Sequence, residues 1–150
     1  MKDLQKFKLV KSKDGFTLVE ILVVIALLGM IGTFVVTQLT SRFNRAKVDS
    51  TKIQMRQLSN VLDIYRLDCG IYPTTEQGLE ALLSQPEGEP ECSNYDPNGY
   101  LKSKSPPKDG FGKGFLYESD GNDYEIISLG NNGKEGGEGI DKDISSKNLE

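Results

Sequence analysis

One stretch constrains the whole chain. From Phe16 to Ser41, FTLVEILVVIALLGMIGTFVVTQLTS carries a single charge, Glu20, and 21 uncharged residues follow it. An α-helix rises about 1.5 Å per residue, so about 24 residues span about 36 Å, enough for a hydrocarbon core of about 30 Å. The stretch is too long for the apolar part of an ordinary secretory signal, and no small-x-small cleavage site is evident after it. Lysines precede it, which predicts a cytoplasmic N-terminus and a C-terminal body outside. A buried core helix is the alternative, but the body that follows is small to hide a helix apolar on every side. Glu20 is then the awkward residue, because a carboxylate in hydrocarbon costs roughly 2.5–3.5 kcal/mol.

Charge and residue types exclude several functions. The chain has 150 residues and a formal net charge of −4. Its first fifteen residues hold five lysines and two aspartates, so the remainder has 13 basic and 20 acidic residues, a net of −7. An acidic body argues against binding nucleic acid through its phosphates. There is no histidine, hence no commonest general base or metal ligand. No nucleophile elbow, P-loop or dinucleotide fingerprint is present, so the chain does not read as an enzyme. Cys69 and Cys92 do not have zinc-site spacing. Outside the cytoplasm a disulfide is their natural state; two reduced, partly buried thiols are the alternative.

The helix should continue beyond the apolar stretch. Residues 42–67 contain no Gly or Pro, and Ala46, Ile53, Leu58, Val61, Leu62 and Tyr65 recur near helical spacing. One long helix is expected from about Phe16 to Leu67, with Gly70 suited to a left-handed cap. Thr74-x-x-Gln77 fits a capping box for a short helix over 75–84, closed by Pro86. Residues 87–110 read as an irregular loop. Residues 111–130 read as two strands around Asp120-Gly121-Asn122. The last twenty residues are glycine-rich and acidic.

The stretch Gly15-Phe16-Thr17-Leu18-Val19-Glu20, after a basic leader, resembles the processing signal of type IV pilin-like proteins. The resemblance implies that prepilin peptidase removes residues 1–15, cutting after Gly15, and N-methylates Phe16. Residues 16–41 would then be the membrane and filament-core half of the helix, and 42–150 a periplasmic globular domain. The new amine at Phe16 lies four residues, about one turn, from Glu20. In a filament the amine of one subunit can meet Glu20 of a neighbour, and pairing offsets the cost of burying either charge. The alternative is that Glu20 only reaches the cytoplasmic headgroups.

Three further segments narrow the resemblance. YPTTEQGLEAL at 72–82, Gly99-Tyr100-Leu101-Lys102, and DYEIISLGNNGKEGGEGIDKDI at 123–144 are similar to the major pseudopilins of type II secretion systems. The implied fold is α+β and type IV pilin-like: a long N-terminal helix packed on a small domain with a short helix, an antiparallel hairpin or sheet, and a glycine-rich C-terminal loop. The implied function is a non-enzymatic filament subunit, assembled at the bacterial inner membrane, that helps drive folded substrates through an outer-membrane channel. Its implied partners are other copies of itself, minor pseudopilins, an inner-membrane assembly platform, prepilin peptidase and, before assembly, membrane lipid. A type IV pilin or competence pilin for adhesion or DNA uptake is the competing reading.

The resemblance also implies calcium. Carried over by position, the ligands are the carbonyls of Leu129 and Lys134, the Asn132 side chain, and the carboxylates of Asp141 and Asp143. Most relatives have Asp where this chain has Asn132, which still offers a neutral oxygen. Composition alone would leave this segment a mobile acidic loop: Gly136 to Asp141 match one GGxGxD unit, and one unit cannot build a β-roll. Two other departures stand out. Thr37 replaces a proline common in the family, removing a site where the helix would kink. Asp109-Gly110-Phe111-Gly112 replaces a DPWG-like motif.

Overall fold

The computed structural model describes residues 15–149, apart from the side chains of 33–37. Residues 1–14 of the expected leader and the Thr37 side chain therefore lie outside the described residues. The chain divides into two units, Met1–Leu39 and Thr40–Glu150.

Helix α1 runs Leu18–Cys69. Thr17 opens it: the Glu20 main-chain N–H donates to Thr17 Oγ1 at 3.1 Å, satisfying one of the free donors of a first turn. In the first unit Leu18, Val19, Leu22, Leu27 and Leu28 are all exposed. Among the described residues no helix is long and apolar enough to cross a membrane; the stretch expected to span includes the undescribed side chains of 33–37. The helix ends at Gly70, whose φ of 82° and N–H bond to the Arg66 carbonyl at 2.8 Å make the left-handed cap expected there.

In the second unit the core face of α1 is Thr51, Met55, Leu58, Leu62 and Tyr65, all buried. Their spacing of four, three, four and three is one stripe of a helix. This corrects the face read from the sequence. Ala46 and Ile53 are exposed, because at 100° per residue Ile53 lies about 200° from Met55, on the opposite side. Tyr72, Leu79, Ala81, Leu82, Tyr117 and Ile126 complete the core.

The short helix expected over 75–84 is reduced to a turn and one 3-10 segment, Leu79–Leu82. The capping box forms: Gln77 N–H donates to Thr74 Oγ1 at 3.3 Å, and Thr74 N–H donates to Gln77 Oε1 at 3.1 Å. Gly78, at φ 63°, then breaks the α-helical path that the box begins.

Strands β1 (Leu116–Ser119) and β2 (Tyr124–Ser128) form the expected hairpin. Asp120 Oδ1 accepts the N–H groups of Asn122 and Asp123 in its turn. A third strand, β3 (Ile144–Ser145), pairs antiparallel with β2 and gives the order β1-β2-β3. The segment before the hairpin docks on α1 through main chain. Gly110 N–H donates to Thr51 Oγ1 at 2.9 Å, and Thr51 donates in turn to the Lys47 carbonyl at 2.9 Å. A methyl group at Gly110 would lie 2.0 Å from the Lys47 carbonyl oxygen. Gly110→Ala is therefore expected to cost about 3 kcal/mol, the upper range for overpacking. Thermal unfolding should fall by more than about 10 °C, as a circular-dichroism melt would show.

Candidate functional site

The residues expected to act in processing and assembly lie just before α1 and in its first turn. Gly15 and Phe16 precede the helix in non-helical chain, and both are exposed. A Cβ at Gly15 would meet nothing within 4 Å. The peptide expected to be cut is thus open and free of helical hydrogen bonding. Glu20 is exposed in the first turn, where a carboxylate also complements the positive end of the helix dipole. Its contact with Thr17 uses the main-chain N–H, which leaves the carboxylate free for another partner.

The second feature is the segment 129–143, which leaves β2 and returns to β3. Its two limbs close through glycines. A Cβ at Gly130 would lie 2.9 Å from the Asp141 carbonyl oxygen, and one at Gly137 would lie 2.7 Å from it. Both glycines have positive φ, 59° and 108°, so a larger residue is excluded by conformation and by space. Asn131 N–H donates to the Ile140 carbonyl at 3.0 Å, and Asn131 Nδ2 donates to Asp141 Oδ1 at 3.2 Å.

The five residues expected to hold calcium all fall on these limbs. The Leu129 carbonyl accepts Gly133 N–H at 3.1 Å, and Asn132 Oδ1 accepts Lys134 N–H at 2.8 Å. Asp143 Oδ2 accepts Gly136 N–H at 2.8 Å, while Asp143 Oδ1 is buried with no hydrogen-bond partner. A buried oxygen left without a partner costs about 1–3 kcal/mol, more when charged, and a hard cation is the partner such an oxygen suits. Among the described residues no three Cys, Asp or Glu side chains converge on one point. The set here has two carboxylates, and its other donors are amide and carbonyl oxygens.

Behind this segment lies a buried carboxylate that the sequence marked only as part of a motif. Asp109 is 5% exposed. Its Oδ1 accepts Phe111 N–H at 2.9 Å and Lys113 N–H at 2.8 Å, and its Oδ2 accepts the Ser128 hydroxyl at 2.6 Å. Three donors compensate the burial of the charge. The same hydroxyl oxygen accepts Gly130 N–H at 3.3 Å, so the start of the C-terminal segment is tied to the turn that docks on α1.

Cys69 and Cys92 are joined by a disulfide, with Cα atoms 4.8 Å apart. It ties the end of α1 to the loop after the 3-10 segment. Tyr65, Tyr95 and Tyr100 pack edge-on or tilted beside it, with ring centroids 5.2–6.2 Å apart. Burial pushes the Tyr100 hydroxyl up to about 12, and it donates to Asp68 at 3.0 Å. The bond closes a 23-residue separation, worth roughly 3 kcal/mol in the chain-entropy model. Reduction is expected to lower the melting temperature by roughly 10 °C. A melt with and without reductant checks this, and thiol labelling before reduction should find no reactive cysteine.

A basic leader, an exposed Gly15–Phe16 step before a long helix, and a small antiparallel sheet define a pilin-like protein with an N-terminal methylation signal. Accordingly, the prokaryotic N-terminal methylation motif matches residues 10–36, and the type II secretion system protein G model matches residues 38–147. The chain belongs to the type II secretion system protein G family. It is 41% identical to the type II secretion system core protein G of Pseudomonas aeruginosa, over 91% of this chain and 96% of that protein. It is 40% identical to the core protein G of Vibrio cholerae, over 95% of this chain and 97% of that protein. The crystal structure of the major pseudopilin from the type 2 secretion system of enterohaemorrhagic Escherichia coli superposes with a TM-score of 0.61 at 34% identity. That match covers 72% of this chain and 92% of that one. The family is one of structural subunits, and these relatives favour the secretion reading over an adhesion or DNA-uptake pilin.

Proposed function

We propose that the chain is the major structural subunit of a type II secretion pseudopilus, a homopolymer assembled from the bacterial inner membrane that helps drive folded substrates through an outer-membrane channel. The observation that supports this reading is the joint match of the N-terminal methylation motif and the protein G family along one chain, with Gly15, Phe16 and Glu20 inside the matched motif. Prepilin peptidase removes residues 1–15, and Phe16 becomes an N-methylated terminus. The apolar half of α1 holds the subunit in membrane lipid, N-terminus cytoplasmic and C-terminal domain periplasmic, until assembly replaces lipid with neighbouring helices. There the Phe16 amine of an incoming subunit pairs with Glu20 of a neighbour. Minor pseudopilins and an inner-membrane assembly platform are its further partners, and nucleic acid is not one.

Calcium orders the C-terminal segment. The Leu129 and Lys134 carbonyls, the Asn132 amide oxygen and the Asp141 and Asp143 carboxylates would hold it. They are all oxygens, as Ca²⁺ prefers, and they include Asp143 Oδ1, a buried carboxylate oxygen without a hydrogen-bond partner among the described residues. Held there, the ion would offset the charge of Asp141 and Asp143 in an acidic body and so ease repulsion between stacked subunits.

The test is a gene deletion complemented by the chain. Wild type should restore secretion and yield periplasmic fibres, and mass spectrometry of those fibres should show an N-methylated Phe16 terminus. Fibres that retain residues 1–15, or secretion that proceeds without the chain, would contradict the reading.

A further inference from the structure

Lys113 follows the buried Asp109 turn. Its main chain is fixed on both sides: its N–H donates to Asp109 Oδ1 at 2.8 Å, and its carbonyl accepts Asp109 N–H at 2.8 Å. The side chain then reaches the first limb of the C-terminal segment. Its ammonium donates to the Asn131 carbonyl at 2.6 Å and to the Gly130 carbonyl at 3.3 Å. Gly133 makes room for it, since a Cβ there would lie 2.7 Å from Lys113 Nζ and 3.2 Å from Cε.

Two main-chain carbonyls converging on one ammonium form a charge-assisted clamp. Gly130 is held at both ends, its N–H on the Ser128 hydroxyl and its carbonyl on Lys113. Asn131 is held by Lys113 on one side and by Ile140 and Asp141 on the other. The clamped pair lies between Leu129 and Asn132, two of the groups assigned to calcium. Fixing the pair therefore fixes both neighbours.

We propose that Lys113 is a positioning residue for the calcium segment, a half-buried side chain whose ammonium orders the Leu129 carbonyl and the Asn132 side chain before the ion binds. The proposal rests on the calcium reading above. Two effects of the lysine oppose each other. Its charge repels a nearby divalent cation, and its clamp removes the entropy that the ion would otherwise have to overcome in ordering the limb. The segment is largely exposed, so salt and water screen the repulsion, and the hydrogen-bonded partners of the ammonium are carbonyls rather than the aspartates. Ordering wins, and loss of the lysine weakens calcium binding.

The experiment uses the full chain in detergent, as wild type, Lys113→Met and Lys113→Arg. Calorimetric titration with CaCl₂ gives the affinity, and limited proteolysis in EGTA reads the segment without metal. Lys113→Met should raise the calcium Kd about tenfold and speed cleavage within residues 130–138 several-fold in EGTA. Lys113→Arg, which keeps donors and charge, should recover most of both. Tighter calcium binding by Lys113→Met would overturn the proposal, because repulsion would then dominate. Unchanged affinity and unchanged cleavage would overturn it as well. A wild type that binds no calcium refutes the calcium reading and with it the positioning role toward the ion. In that case the EGTA proteolysis still shows separately whether Lys113 holds the segment.

Discussion

Glu20→Ala is expected to insert and be processed normally, yet to yield at most about one-tenth of the wild-type fibre. Removing the carboxylate lowers the cost of lying in lipid by roughly 2.5–3.5 kcal/mol, so membrane insertion does not suffer. The helix start loses only the dipole contribution of the carboxylate, about 0.3–1 kcal/mol, because Thr17 is bonded to the Glu20 main-chain N–H rather than to its side chain. On the proposed pairing, what disappears is the partner of the Phe16 amine. A buried charge left alone costs about 3–5 kcal/mol, and a tenfold change needs only about 1.4 kcal/mol. Glu20→Gln should resemble Ala, since it keeps the shape and loses the charge. The measurement is fibre recovered by shearing, normalised to processed protein in the membrane. Normal recovery for either variant would remove the pairing role.

Calcium is expected to stabilise the full chain in detergent, and Asp143→Ala is expected to abolish that stabilisation. With calcium at about a hundred times its Kd, binding stabilises the wild type by about 2.7 kcal/mol, which raises the melting temperature by roughly 10 °C. Mg²⁺ should do far less, because it demands a smaller octahedral site. Without calcium the substitution has a second signature. It removes the buried Oδ1 that lacks a partner along with one bond from Gly136, so the metal-free melt should change little. Asn132→Asp should strengthen binding by adding a charge. Melts of the three proteins in calcium, magnesium and EGTA check all of this. No calcium shift in the wild type would refute the site.

Local signals carried much of this fold. The unbroken 42–67 stretch, the Gly70 cap and the Asp120–Gly121 turn rest on local signals, and the long helix, its end and the hairpin stand where those signals put them; the Thr74–Gln77 box forms, but the helix it signals does not extend over 75–84. Features that depend on distant chain were not legible. The apolar residues of α1 lie on two sides of the helix, and only packing against Tyr117 and Ile126 decides that Met55 rather than Ile53 is buried. The box at Thr74 opens a helix, but the positive φ at Gly78 stops it. Strand β3 is two residues long and exists because the glycine-rich limbs return Ile144 to the edge of β2. Lys113 gave no signal at all, since its two acceptors are main-chain carbonyls 17 and 18 residues away. The residues assigned to processing, assembly and calcium came from the family resemblance, and periodicity alone would have left the 129–143 segment a loop.

The most direct measurement is a cryo-electron microscopy map of the assembled fibre at side-chain resolution. The account predicts chains beginning at Phe16, apolar α1 segments packed together in the fibre core, and the Phe16 nitrogen within about 4 Å of a Glu20 carboxylate on a neighbouring subunit, the usual reach of an ion pair. A fibre whose Phe16 amine and Glu20 both face solvent, or whose subunits meet only through residues 42–150 with the first half of α1 outside the core, would contradict it.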